Sequence, residues 1–274
     1  TGKPFIMRFF TGLFRPQFFA TGTDFAGIVE DIGKDVIDLK KGDRIWGFFD
    51  SGIPSHAEFM VISSDYPIEK MPDKCTFEEV ASSAEAAHYA YNFINKIHLE
   101  KGQSVFVNGG TGAIGSAAIQ ILKTYQVKIT ATCRTEHFEK VKALGADWVI
   151  DYTKEDFRND TEVYEFFLDA VGKSSFNECK HLLKKNGVYL SSELGPYLQN
   201  LYLPIFTKIF MSKKVIFPIP SDIPKSLKFI KDLIENGQFK PMIDKIFPLE
   251  KVGEAFSYVM TGQKVGNVVL KING

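Results

Sequence analysis

The run SVFVNGGTGAIGSAAIQILKTY, Ser104 to Tyr125, sets four glycines between a strand-forming stretch and a helix-forming one. Within it Gly110-Thr111-Gly112-Ala113-Ile114-Gly115 fits G-x-G-x-x-G. The pattern has meaning only after a strand and at the opening of a helix, which is where it stands. A tight strand-to-helix turn needs backbone angles that glycine adopts cheaply. Gly112 keeps a Cβ away from a pyrophosphate, and Gly115 lets the helix pack closely on the sheet. The free N–H groups of the helix start then face negative phosphates. The spacing therefore predicts a dinucleotide-binding corner inside a parallel sheet with helices on both faces.

The rest of the chain supplies that sheet. Strands are predicted at Ser104–Asn108, Lys128–Thr132, Trp148–Ile150, Glu165–Ala170, Gly187–Leu190 and Val215–Phe217. Helices are predicted at Ser116–Tyr125, Glu136–Leu144, Ser174–Leu183 and Ile223–Asn236. This alternation is that of βαβ units. Upstream, AGIVEDIG, DRIWGFF and AEFMVIS read as short strands between Gly, Asp and Pro turns, the pattern of a small barrel or sandwich. One helix is predicted over TFEEVASSAEAAHYAYNFINKI, with Thr76 and Glu79 as a capping box. The tail holds a helix near Glu250–Met260 and a last strand, Asn267–Ile272.

The second strand of the unit decides which dinucleotide fits. An NAD site places a carboxylate at its end, on the ribose hydroxyls. Here it ends ITATCRTEH, and Thr132 to Thr135 carry no carboxylate. Arg134 suits the extra 2′-phosphate of NADP, a charge-assisted contact worth about 1.5–3 kcal/mol. The expectation is NADPH rather than NADH.

Charge narrows the partners. Basic and acidic side chains balance at 33 each, with no basic block, which argues against nucleic acid. Cys75, Cys133 and Cys179 are far apart and unpaired in pattern, so reduced thiols and a cytoplasmic location are expected. TGKPFIMRFF has no signal-peptide pattern. The most apolar region, Leu201–Pro220, is broken by Pro204, Lys208, Lys213 and Lys214, so no membrane span is expected. The 25 phenylalanines predict an aromatic core.

GTDFAGIVEDIGKDVIDLKKGDRIWGF, SVFVNGGTGAIGSAAIQILK, KALGADWVIDYTKEDF and GNVVLKI follow one another in the order typical of medium-chain dehydrogenase/reductases. The chain most resembles their zinc-free quinone oxidoreductase (zeta-crystallin-like) branch, over essentially its whole length. The resemblance implies a Rossmann NADP-binding domain over 88–237 and a GroES-like β-rich catalytic domain over 1–87 and 238–274. It further implies that about 45 residues of an ordinary catalytic domain precede the chain. Zinc-binding members carry Gly-His-Glu where this chain has Gly22-Thr23-Asp24, and the cysteines of a zinc lobe are missing, so no metal is expected. By resemblance, Tyr152 faces the 2′-phosphate, His137 stands where some relatives have a lysine, and Ala170, Val171 and Gly172 pass under the nicotinamide ribose. Asn108 and Asn267 complete the candidate cofactor set. A strand near Val215–Phe217 often extends the sheet across a dimer in this family, so a homodimer is expected.

Without a Lewis acid, a plain ketone is a poor hydride acceptor. Quinones and α,β-unsaturated carbonyls spread the new charge, and a few hydrogen-bond donors suffice. The expected function is zinc-independent, NADPH-dependent reduction of such a conjugated carbonyl. His88, Tyr89 and His56 are the candidate donors, with Glu85 as a further cleft-lining residue. Two alternatives are an NADP-dependent alcohol/aldehyde dehydrogenase and a nucleotide-binding scaffold or regulatory protein without catalysis.

Overall fold

β-branched and aromatic residues dominate the strands of the computed structural model, which describes residues 21–50 and 52–272. Three short antiparallel strands come first: β1 (Asp24–Ile28), β2 (Arg44–Phe48) and β3 (Ile68–Lys70), paired in that order. Phe25, Val29, Ile45 and Ile53 form a small core beside them. The segment 57–63, AEFMVIS, is not a strand. Its alternation is real, since Met60 and Ile62 pack on this core while Phe59 and Val61 are exposed. It begins in a bend at Ala57 and Glu58 and has no ladder partner among the described residues.

The single helix predicted from Thr76 is two helices, α1 (Phe77–Ala81) and α2 (Glu85–Ile94). The capping box is present: Glu79 N donates to Thr76 Oγ1 at 3.2 Å and Thr76 N to Glu79 Oε2 at 3.1 Å. Ser82 and Ser83 end α1, because their hydroxyls bond back to the carbonyls of Glu78 and Glu79, both at 2.7 Å. The chain thus restarts at Glu85 with a new direction.

Next come β4 (Ser104–Asn108), α3 (Ala113–Thr124), β5 (Lys128–Cys133), α4 (Phe138–Leu144), β6 (Trp148–Asp151), β7 (Tyr164–Asp169), α5 (Phe176–Cys179), β8 (Leu183–Ser191), α6 (Gln199–Phe210), β9 (Lys214–Ile216) and α7 (Ile223–Glu235). The six strands stand in the order β6-β5-β4-β7-β8-β9, all parallel. The order reverses direction between β4 and β7, so a crevice opens at the carboxyl ends of those two strands. Val105, Val107, Ile119, Ile121, Leu122 and Ile129 pack between β4, α3 and β5 in the main core. The phenylalanines do build a core: Phe106, Phe167 and Tyr189 stack in a row, with ring centroids 4.7 and 5.5 Å apart.

Three elements depart from expectation. The helix predicted over Ser174–Leu183 shrinks to α5 and a 3₁₀ turn at Lys180–Leu182, and β8 begins at Leu183. The apolar stretch around Pro204 is helical; Pro204 sits inside α6 and gives up one backbone donor there. The tail adds β10 (Ile243–Pro248), then α8 (Val252–Met260) and β11 (Asn267–Lys271), with β10 and β11 paired in parallel. Just before β11, Gly266 forms a parallel bridge with Gly112, its N–H donating to Thr111 O at 2.7 Å. The tail is thereby tied to the glycine corner.

Candidate functional site

The corner is held by hydrogen bonds from the neighbouring strands. Gly109 N donates to Thr132 Oγ1 and Gly110 N to Thr132 O, both at 2.8 Å. Thr132 in turn donates to Asn108 Oδ1 at 2.8 Å, and Asn108 Nδ2 to Asp169 Oδ1 at 3.1 Å. Asn108 is buried with both ends of its amide used, so it fixes the turn from beneath rather than reaching into the crevice. Gly109 has φ +91°, a left-handed angle that a side chain resists. A Cβ on Gly115 would lie 2.1 Å from Gly109 O, which no real side chain tolerates. A Cβ on Gly112 would meet nothing closer than 3.3 Å. That contact, with Gly109 O, is tight but far milder than the one at Gly115, so packing constrains Gly112 less than Gly115. The helix start above it has no side-chain cap. Ala113, Ile114 and Asn267 line the cleft, but the Asn267 side chain also donates to Met242 O at 3.1 Å.

At the next corner Arg134 and Tyr152, 18 residues apart, come together: Arg134 Nε donates to Tyr152 OH at 3.2 Å. His137 follows in the first turn after Arg134, its Nε2 3.2 Å from Glu136 Oε1. Its Nδ1 is buried and has no partner among the described residues. Asp151, the carboxylate at the end of β6, is buried. It accepts from Thr135 N at 3.0 Å, from Thr153 N at 2.8 Å and from both threonine hydroxyls. Those hydrogen bonds hold it far below the usual carboxylate range. Beyond β7, buried Asp169 accepts from Gly172 N at 3.1 Å and Ser174 N at 3.0 Å. This pins Ala170, Val171 and Gly172 beside the glycine corner, with Val171 over Gly109.

Residues 144–270 match the family model described as a zinc-binding dehydrogenase. The chain is 31% identical to the 2-methylene-furan-3-one reductase of Solanum lycopersicum, over 91% of its own length and 62% of the relative. It is 30% identical to the chloroplastic NADPH-dependent alkenal/one oxidoreductase of Arabidopsis thaliana, over 91% and 63%. The solved quinone oxidoreductase from Coxiella burnetii superposes with a TM-score of 0.80 at 25% identity, covering 92% of this chain and 79% of that one. The chain is thus similar in sequence and fold to dehydrogenases and reductases of this kind, the quinone and enone reductases among them. It spans about three fifths of the length of the two curated relatives, 62% and 63%.

The glycine corner faces a cleft, into which Ala113 and Ile114 project. One wall here carries Thr23, Asp24, Glu85 and Tyr89, the other Ile114, Ser192, Glu193 and Asn267. Of the three expected donors, His88 does not reach it. His88 is 0% exposed, its Nδ1 2.6 Å from Ser226 Oγ on α7, because Glu85 and Tyr89 occupy the cleft face of α2 and turn His88 inward. Burial lowers its pKa to about 4, so it is a neutral core histidine. Tyr89 does line the cleft and donates to Asp50 Oδ1 at 2.9 Å. His56 lines it too, its Nδ1 2.9 Å from Thr21 Oγ1, and burial lowers its pKa.

The residues do not fit the zinc that the family model's description implies. Among the described residues no three His, Cys, Asp or Glu side chains stand together to hold a metal ion. Where zinc-binding members carry ligands, Thr23 Oγ1 lies 2.9 Å from Glu85 Oε2 and 3.1 Å from Asp24 Oδ2, and Glu85 N donates to Asp24 Oδ1 at 2.7 Å. Sequence reasoning reached Glu85 only as a cleft residue and missed this grouping. Its signal was present, since Thr23-Asp24 replaces His-Glu at a position facing the start of α2.

Proposed function

We propose that this chain is an NADPH-dependent oxidoreductase that reduces quinones or α,β-unsaturated carbonyls without a metal ion. The observation that carries the reading is the uncapped glycine corner facing a cleft in which, among the described residues, no three His, Cys, Asp or Glu side chains stand together as a ligand set. Bound there, the dihydronicotinamide would supply a hydride to an acceptor that delocalises the charge itself. Gly110 to Gly115 would hold the pyrophosphate, and Ala170 to Gly172 would support the nicotinamide ribose. Arg134, Tyr152 and the unpartnered Nδ1 of His137 would hold the 2′-phosphate. The names of the relatives support the substrate class. We assign 1–87 and 238–274 to the catalytic domain and 88–237 to the dinucleotide-binding domain.

The test is a titration of NADPH and NADH on the wild type and Arg134→Ala, followed by turnover with quinone and enone panels. The variant is expected to lose about 10- to 100-fold in NADPH affinity and little in NADH affinity. An unchanged preference removes Arg134 from the site. Nucleotide binding with no turnover of any acceptor favours the scaffold reading, and alcohol-dependent NADP reduction without metal favours the dehydrogenase reading.

We further propose a homodimer and a cytoplasmic location. β9 leaves an open sheet edge, and beside it α6 exposes Leu201, Tyr202, Ile205, Phe206, Ile209 and Phe210 on one face. A contiguous exposed apolar face marks an interaction surface, and a second copy is the proposed cover. Phe206→Glu with Ile209→Glu is expected to give a monomer in analytical ultracentrifugation; an unchanged sedimentation coefficient argues against this face. No helix among the described residues is long and apolar enough to cross a membrane. Burial pushes the thiols of Cys133 and Cys179 up to about 12, which suits a cytoplasmic protein with inert, reduced cysteines.

A further inference from the structure

We propose that Glu85 is the proton donor of this reaction, kept loaded by Asp24 through the hydroxyl of Thr23. The proposal rests on the reductase reading and deepens it. Thr23 Oγ1 has one hydrogen and two carboxyl oxygens within bonding reach, at 2.9 Å (Glu85 Oε2) and 3.1 Å (Asp24 Oδ2). It donates to one of them. The other contact is a hydrogen bond only if that carboxyl carries a proton and donates to Thr23. With both carboxyls ionised, the hydroxyl would face a bare anion at hydrogen-bond distance and the two charges would face each other in a partly buried site. The geometry therefore stores one proton on the pair.

The surroundings keep it there. Burial and the charge of Glu85 hold Asp24 well above its ordinary value, and burial raises Glu85 as well. Asp50, from the loop after β2, adds negative charge near Glu85 and accepts from Tyr89 on the same helix. Glu193, on the opposite wall, is itself raised by burial and by Asp169. Lys264 and His56 also face this cleft, and burial lowers the pKa of both. The proton belongs to the pair, but its exit is through Glu85. Both oxygens of Asp24 are engaged, whereas Oε1 of Glu85 makes no hydrogen bond among the described residues.

Reduction of an enone at its β-carbon leaves an enolate. The α-carbon takes the hydrogen of the Glu85 carboxyl: the O–H bond breaks, its electron pair stays on the carboxylate, and the enolate pair forms the new C–H bond. Water at the cleft mouth then returns a proton to the pair. A quinone makes no such demand, since its product is an oxygen anion that water can protonate. Glu85 thus favours enones.

Three variants test this. In the ligand-free wild type, a protonated-carboxyl infrared band is expected to persist at neutral pH and to be lost in Glu85→Gln. Glu85→Gln is expected to lower enone turnover about 100-fold and quinone turnover less than 10-fold, with NADPH affinity kept within about twofold. Glu85→Asp recovers part of the enone rate. Asp24→Asn removes the neighbouring charge and moves the basic limb of the enone pH profile at least about one unit toward acid. The proposal falls if the wild type lacks the infrared band. It also falls if Glu85→Gln binds NADPH and still reduces enones within about threefold of wild type, or if Asp24→Asn leaves the basic limb in place. Should the wild type fail to bind NADPH, the reductase reading falls instead, while the infrared result still judges the stored proton.

Discussion

Gly115→Ala is expected to break the dinucleotide corner, whereas Gly112→Ala, three residues earlier, is expected to leave the fold intact and remove the ligand. The added methyl on Gly115 would sit 2.1 Å from Gly109 O and 2.9 Å from Gly109 C. Both are backbone atoms, and Gly109 is already in a left-handed conformation anchored to Thr132. Nothing there can yield without separating α3 from the end of β4. A loss of about 3 kcal/mol or more is expected, read as a lower denaturant midpoint. On Gly112 the nearest atom would be Gly109 O, 3.3 Å away, so the turn need give only slightly and a loss of about 1 kcal/mol is expected, well below that at Gly115. The methyl would occupy the space left for a diphosphate, and NADPH affinity should fall about 100-fold. A Gly112→Ala protein that binds NADPH like the wild type would remove the corner from the cofactor site. A fully stable Gly115→Ala would mean that α3 packs more loosely than its geometry implies.

The second large effect is on stability in acid. His88 is wholly buried between α2 and α7, and burial depresses its pKa from 6.5 to about 4 against weaker opposition from Asp50 and Asp222. The unfolded chain binds a proton at pH 5 that the folded protein refuses, so stability rises with pH across this window. The contribution is complete above about pH 6.5 and is lost as the pH falls toward about 4, by roughly 3 kcal/mol in all. Other groups also titrate in acid, so the measurement is a difference. Urea midpoints of the wild type and His88→Gln are compared from pH 4 to 7. The variant, with no imidazole to charge, should show the shallower loss; parallel curves would mean that His88 is protonated without opening the core.

The parallel sheet was legible because its signals are local. Continuous apolar runs between turn residues mark β4, β5 and β7, and the glycine pattern marks where α3 starts. Arg134 and Tyr152 were found at the next corner, and the structure brings the two into contact. What escaped depends on long-range partners. Whether 57–63 becomes a strand depends on a neighbour to pair with, which its own alternation does not reveal. β10 needs β11, some twenty residues on, to be recognised as a strand. Pro204 reads as a breaker, yet α6 accommodates it. His88 and Tyr89 are adjacent in sequence and their rings touch, 5.9 Å between centroids, yet helical geometry turns them about 100° apart, so a residue type that suits catalysis did not reveal which one meets the cleft. The Thr23, Asp24 and Glu85 grouping joins residues about sixty positions apart and follows from no periodicity.

The bridge from Gly266 to Gly112 has a consequence for how the molecule is made. The ribosome releases the glycine corner long before it synthesises the strand that braces it. A chain stopped short of Gly266 would retain the six-stranded sheet and its aromatic core while lacking the clamp on Thr111.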